Sequence, residues 1–291
     1  MISTSSLPWQ KILIFRRTGE LKSGRAGGQI VRTLTGKTLL LLFEKNSTRT
    51  RLSFEAAIGQ MGGTAITLPM QESQVSRGET LADTAAVASR YVDAIVYRTH
   101  GDDRLRELAK SATVPVINGL SDGGHPVQIL ADLFTVTERF GSLRGRIIAW
   151  VGDGASNMAL SWIEAAPIFG FTLRISAPEG FRPPKAGIFE TVNDPSVAVR
   201  GAHVVTTDVW VSMGQEKEAA ERKRAFSGYC VDEALLGRAL PEAIVLHCLP
   251  AHRGEEITAG VLDGPRSAVL DEAENRMHVQ KALLEALLLR R

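Results

Sequence analysis

The stretch GKTLLLLFEKNSTRTRLSFEAAIGQM, residues 36–61, decides the fold. Thr38–Phe43 is a short, continuous apolar run, which predicts a strand covered on both faces. From Leu52 onward the apolar residues return at helical spacing. The five residues between them, Ser47-Thr48-Arg49-Thr50-Arg51, therefore sit at a strand-to-helix turn. Such a turn aims unpaired backbone N–H groups and the positive end of a helix dipole at one spot. Three hydroxyls and two guanidinium groups added there make a site for a multiply charged oxyanion, with phosphate the best match. The plainer alternative is a helix cap with solvent-facing arginines. Two cations in a first turn, where the dipole disfavours them, argue for an anion that neutralises them.

Working outward, strands are expected at Thr38–Phe43, Thr64–Thr67, Ala94–Tyr97, Val116–Asn118, Ile147–Val151, Thr172–Ser176, Val204–Thr207, Ala243–His247 and Ala268–Leu270. Helical patterns separate them, among them Leu81–Tyr91, Asp102–Ser111, Gln128–Phe140 and Ala159–Phe169. This alternation implies an α/β fold with two domains, each a mainly parallel sheet flanked by helices. The turn from Phe140 to Gly145 is the expected boundary, giving domains over residues 1–140 and 141–275. Residues 276–291 form an apolar helix that should pack back on the first domain. Ligands of open parallel sheets bind beyond the carboxyl ends of the strands. The chemically notable residues recur there: Ser47–Arg51, Arg98, His125 and Gln128, Asp153–Asn157, Asp208–Gly214 and Cys248-Leu249-Pro250.

A chain of 291 residues accommodates two such domains. Its formal charge of +2 gives no reason to expect nucleic acid or a membrane as partner. The densest basic run, Glu218–Arg224, alternates with acids as a solvated helix face does. Two cysteines, Cys230 and Cys248, make no disulfide framework. No secretory signal pattern is visible at the N-terminus, and a cytoplasmic protein is expected.

Four further motifs carry chemistry. His125-Pro126-Val127-Gln128 follows a glycine-rich loop and opens a helix, so His125 and Gln128 offer donors to a small carbonyl or amide. A capping histidine beside a solvated glutamine fits the motif equally. Gly152-Asp153-Gly154-Ala155-Ser156-Asn157 resembles a dinucleotide fingerprint, but Asn157 holds the third glycine position and no ribose-binding acid ends the next strand. Asn157 reads better as a polar contact to a small substrate. Asp208, ahead of Ser212-Met213-Gly214, suits a ligand ammonium, with Gly214 as a hinge. His247 and Cys248 are successive strand residues and point to opposite faces, which disfavours a thiol–imidazole dyad. The six histidines are dispersed without ligand spacing, so no metal is expected.

Taken together, Ser47–Arg51, His125–Gln128, Asp208 with Ser212-Met213-Gly214, and His247-Cys248-Leu249-Pro250 resemble the aspartate/ornithine carbamoyltransferase family, most closely its ornithine branch. The likeness runs from about Gly36 to the C-terminus. It implies one domain for carbamoyl phosphate and one for L-ornithine, homotrimers or multiples of them, and no cofactor. It assigns phosphate to Ser47, Thr48, Arg49 and Thr50, and the carbamoyl end to Arg98, His125 and Gln128. It has Gln74 reach the phosphate held by a neighbouring subunit. Asn157, Asp208, Ser212 and Met213 fall to ornithine, while Cys248, Leu249 and Arg276 close the site and join the carbamoyl phosphate set. Asn46 departs from the proline or small hydroxyl residue often found there. The implied reaction forms citrulline and phosphate, in arginine metabolism and in its synthetic direction. The catalytic set so implied is Arg98, His125, Cys248 and Thr50. Putrescine or N-acetylornithine remain alternative acceptors, and a dehydrogenase or a non-catalytic binding protein the alternatives outside the class.

Overall fold

The computed structural model describes residues 8–184, 187–212 and 214–289. In chain order its elements are α1 (Pro8–Ala26), β1 (Thr38–Phe43), α2 (Thr48–Gln60), β2 (Thr64–Pro69), α3 (Leu81–Ala88), β3 (Ala94–Arg98), α4 (Asp102–Ser111), β4 (Val116–Leu120) and α5 (Pro126–Phe140). There follow β5 (Ile147–Val151), α6 (Asn157–Phe169), β6 (Thr172–Ser176), β7 (Glu190–Val192), α7 (Pro195–Val199), β8 (Val204–Thr207) and α8 (Ala219–Ala225). The chain continues through α9 (Glu233–Leu236), β9 (Ile244–His247), α10 (Ala259–Leu262) and α11 (Val269–Leu288). Two compact units result, one of residues 1–131 with 274–291, the other of 132–273.

In the first unit four parallel strands run in the order β2-β1-β3-β4. Alternate residues of β1 fill opposite layers. Leu39, Leu41 and Phe43 pack with Phe54, Ala57 and Ile58 of α2 and with Met277, Leu283 and Leu284 of α11. Leu40 and Leu42 pack with Ile95, Tyr97, Leu81, Ala85, Leu105 and Leu108. This double burial is why β1 reads as an unbroken apolar run. Leu287 and Leu288 of α11 pack against the same layer.

The second unit has five parallel strands in the order β7-β6-β5-β8-β9. Ala149, Val151, Val205 and Val245 form one layer of its core with Val199, Ile257 and Val261. Helix α6 is capped by the Ser156 hydroxyl, which accepts the Ala159 N–H, and ends at Gly170 in the left-handed region (φ 75°).

Two expectations about strands need correction. Ala268–Leu270 is not a strand: Ser267 makes a single bridge to Val245, and the chain then enters α11 at Val269. Its three apolar residues are too few to separate strand from buried helix. Strand β7 went unread because it is a three-residue edge element with two exposed positions and no apolar alternation. The compact units divide at Ala131/Asp132, inside α5 and ahead of the turn at Gly141.

Helix α11 also buries a cation. Lys281 Nζ donates to Gln60 Oε1 at 2.6 Å. Burial, with the positive charge of Arg25, lowers the Lys281 ammonium from its ordinary 10.5 to about 8. Between those values the unfolded chain holds a proton that the folded chain has lost, so this group makes stability rise with pH. Replacing Lys281→Met removes that dependence. The stability advantage of the variant over the parent should be largest near neutral pH and shrink toward about pH 10. Chemical unfolding midpoints at both pH values measure it.

Candidate functional site

In the first unit Glu44, one residue beyond β1, locks the strand ends. Its carboxylate accepts Tyr97 Oη at 2.6 Å, Thr99 Oγ1 at 2.5 Å and Arg104 Nε at 2.8 Å, while its N–H donates to the Arg98 carbonyl at 2.9 Å. Lys45 pairs with Asp122 at 2.9 Å, which ties the same turn to the loop ahead of His125. Ser47 then caps α2 from an extended backbone (φ −155°), its hydroxyl accepting the Thr50 N–H at 3.3 Å.

Four large polar side chains of this unit are nearly buried: Arg98 at 7 %, His125 at 5 %, Gln128 at 1 % and Arg276 at 3 % exposure. Arg276 Nη2 donates to the Oγ1 of buried Thr50 at 2.8 Å, so α11 delivers a guanidinium to the first turn of α2. The His125 imidazole is held well below its ordinary value, chiefly by burial and then by the charges of Arg276 and Arg98. It is therefore a neutral hydrogen-bonding group at neutral pH. Two buried arginines beside a helix N-terminus create a strongly anion-seeking field.

Arg49 is half-buried and Thr48 exposed. Arg51 does not join the cluster: it is exposed and pairs along α2 with Glu55 at 2.9 Å. The expectation that both first-turn arginines face one spot thus fails at Arg51, while Arg276 reaches the same turn from a distant helix. Gln74 is exposed, on a short 3-10 turn after β2.

In the second unit, β8 and β9 lie side by side and bring together the residues that follow them. Cys248 Sγ donates to Asp208 Oδ1 at 3.3 Å, and the Val209 N–H donates to the same oxygen at 2.8 Å. Burial pushes the Asp208 carboxyl up. Burial, and then the Asp208 charge, push the Cys248 thiol well above its ordinary value, so it stays protonated at neutral pH. His247 turns away, as strand alternation requires: Nδ1 accepts the Leu249 N–H at 2.9 Å and Nε2 donates to Glu256 Oε1 at 3.1 Å. Leu249 has φ 57°, a conformation costing an L-residue roughly 1–2 kcal/mol. Asn157 opens α6, and Ser212 is half-buried with its N–H donating to Gln215 Oε1 at 3.0 Å. Met213 lies outside the described residues.

A residue that the sequence hides is Arg222. Glu218–Arg224 reads as a solvated face, yet Arg222 is 4 % exposed. It forms a buried ion pair with Asp153, donates from Nε to the Trp210 carbonyl at 2.8 Å, and sits 4.8 Å above the Phe181 ring. One guanidinium thereby ties the Asp153–Asn157 loop to the Asp208–Ser212 loop. Its aromatic setting, in which Trp210 and Phe226 stack on each other at 5.7 Å, forms only on folding. Gly154 has its own reason: an added Cβ would come within 2.8 Å of Pro183, so close chain packing demands glycine without any nucleotide.

Histidine spacing along the chain hid two groupings of possible metal donors, Asp208–His247–Cys248 and His252–Glu255–Glu256, whose donor atoms lie within 4.8 Å of one another. In the first, both ring nitrogens of His247 are committed to Leu249 and Glu256, and the thiol carries its proton. Among the described residues no helix is long and apolar enough to cross a membrane.

Comparison with known proteins covers nearly the whole chain. Residues 2–138 match a family model described as the carbamoyl-P binding domain of aspartate/ornithine carbamoyltransferase. Residues 144–287 match its companion, the Asp/Orn binding domain. An ornithine carbamoyltransferase of Burkholderia cenocepacia is 52 % identical over 285 residues, covering 96 % of this chain and 92 % of the relative. The solved ornithine carbamoyltransferase of Pyrococcus furiosus superposes with a TM-score of 0.92 at 45 % identity, covering 97 % of this chain and 94 % of that one. That of Thermus thermophilus gives 0.90 at 40 % identity, covering 98 % and 96 %.

The Arg222–Asp153 pair yields a stability prediction. Asp153→Ala leaves a buried guanidinium without its counter-ion, a change that typically costs about 3–5 kcal/mol. A large fall in the chemical unfolding midpoint is expected; a midpoint unchanged from the parent would remove the pair from the supports of this unit.

Proposed function

This chain belongs to the aspartate/ornithine carbamoyltransferase family, and we infer from that premise that it transfers the carbamoyl group of carbamoyl phosphate to the side-chain amine of L-ornithine. The products are L-citrulline and phosphate. The observation that carries the assignment of residues is the cluster of Arg98, Arg276 and a neutral His125 about Thr50 at the head of α2.

In this reading Ser47, Thr48, Arg49 and Thr50 hold the phosphate, helped by the N–H groups of the first turn of α2. Arg98, His125 and Gln128 bind the carbamoyl end. A neutral imidazole suits that place, since its N–H donates a hydrogen bond to the carbonyl oxygen without giving the proton up. Arg276, carried by the C-terminal helix, adds the second buried cation. Asp208 anchors the α-ammonium of ornithine, with Asn157, Ser212 and Met213 as further contacts. Cys248, as a protonated thiol, and Leu249 border the reacting amine. Gln74, exposed as it is, serves the phosphate of a neighbouring subunit in a homotrimer or a multiple of it. The protein works in the cytoplasm, without nucleic acid or membrane as partner.

The chemistry follows from charge. The side-chain amine of ornithine resembles lysine, near 10.4, so its free base is scarce at neutral pH. The cationic surroundings of the carbamoyl group favour the uncharged amine. Its nitrogen attacks the carbamoyl carbon, a C–N bond forms and the C–O bond to phosphate breaks. The amine proton passes to the departing phosphate. Negative charge that builds on the carbonyl oxygen meets Arg98, His125 and Thr50; charge on the leaving oxygen meets Ser47, Thr48 and Arg49.

Citrulline formation from carbamoyl phosphate, with ornithine, putrescine, aspartate and N-acetylornithine compared side by side, tests the reading. Ornithine is expected to win, and preference for any of the other three would refute the assignment. Arg98→Ala should lower turnover about a hundred- to a thousandfold with the fold retained. Asp208→Asn should mainly raise the KM for ornithine; an unchanged KM would dismiss the anchor.

A further inference from the structure

Helix α11 is tied to α2 at both ends of that helix. Arg276 Nη2 donates to Thr50 Oγ1 in the first turn of α2, and Lys281 Nζ donates to Gln60 Oε1 at its last residue. The two side chains diverge to do so. At helical rise Thr50 and Gln60 lie about 15 Å apart, whereas Arg276 and Lys281 leave α11 only about 7.5 Å apart.

The apolar contacts of α11 do not set its height along α2 by themselves. Leu283 and Leu284 sit in the core, and Leu287 and Leu288 pack against it. These pairs repeat at one-turn spacing, so a slide of one turn, about 5.4 Å, would set leucine where leucine had been. Glu285 accepts from Arg17 and Thr33, which holds α11 against α1 and the segment ahead of β1, not against α2.

Lys281 is a costly way to make a tie. It is 4 % exposed, and its hydrogen-bond partner is a neutral amide rather than a carboxylate. A methionine there would fill a similar volume with no charge to desolvate. What methionine lacks is a donor for Gln60, and a bond to a defined partner specifies register where apolar packing does not. The Lys281 nitrogen donates in either protonation state, so the tie does not depend on its titration.

We propose that Lys281 and Gln60 are positioning residues for the carbamoyl transfer: their bond sets the register of α11 on α2 at which Arg276 meets Thr50. The proposal rests on the function given above and goes beyond it, because neither residue is among those assigned to a substrate.

Lys281→Met should be the more stable protein near neutral pH and yet lose about 10- to 100-fold in kcat/KM for carbamoyl phosphate, the scale of a small misplacement of a reacting group. A residue that only supports the fold would lose stability and activity together. In an Arg276→Ala background nothing is left to position, so Lys281→Met should cost no further activity. At the exposed partner, Gln60→Glu keeps an acceptor and should stay near the parent, while Gln60→Leu removes it and should match Lys281→Met. A crystal structure of Lys281→Met should show Arg276 Nη2 drawn away from Thr50 Oγ1, which lie 2.8 Å apart in the parent. Parental kcat/KM in Lys281→Met, the same fold-loss in the Arg276→Ala background, an equal loss in Gln60→Glu and Gln60→Leu, or an undisturbed Arg276–Thr50 contact would each overturn the proposal. If Lys281→Met does not fold, Gln60→Leu carries the same kinetic and structural tests. A parent that makes no citrulline would refute the proposed reaction alone, because the crystal structure judges the register whatever the activity.

Discussion

A parallel strand filled on both faces has no place for polar chemistry except at its ends. In β1, Leu39 and Leu41 serve one layer and Leu40 and Leu42 the other. The first residues free to be polar are those after Phe43, and they are used at once. Glu44 clamps the end of β3 through Tyr97 and Thr99, Lys45 reaches Asp122, and Ser47 caps α2. The anion-seeking cluster at Thr50 is thus mounted at the ends of the two central strands of its sheet. Positioning of this kind is what a site needs if its hydrogen bonds are to be in place before charge develops.

The second unit solves a related problem with buried polar pairs. Asp208, Cys248, His247, Glu256, Arg222 and Asp153 are all drawn from water to a large extent, and each has an identified partner. Removing one member of such a network leaves the other unsatisfied, which costs more than the pair itself contributes. The two units also differ in electrostatic character. Burial keeps both His125 and the Cys248 thiol uncharged, and the added charges are of opposite sign, arginines beside His125 and carboxyl groups beside Cys248. A cationic setting suits a phosphate donor, and an acidic one suits an amino-acid ammonium.

Much of this was legible along the chain. Thr38–Phe43, Ile147–Val151 and Thr172–Ser176 are strands with the expected bounds, because continuous burial writes itself as a continuous apolar run. Arg98, His125 and Asp208 stood out because each follows a strand on its carboxyl side. Arg222 was invisible for the opposite reason: a cation between acids on a short helix looks solvated, and only the rings of Phe181 and Phe226 make it a core residue. Glu256 was hidden likewise, since nothing in the local pattern of Glu255 and Glu256 tells the half-buried acid from the buried one. Arg51 erred the other way, its neighbour Glu55 offering a partner within its own helix.

By itself, the order of residues determined the alternation of strand and helix, the parallel sheets and the placement of chemistry at strand ends. These are properties of period and burial, and period is a local quantity. Tertiary structure alone decided that Arg276, 226 residues from Thr50, donates to its hydroxyl, and that the buried carboxylate of Glu256 meets His247 Nε2. Those contacts depend on which faces meet after the sheets are built. No spacing along a chain encodes the direction in which a buried guanidinium or imidazole finally points.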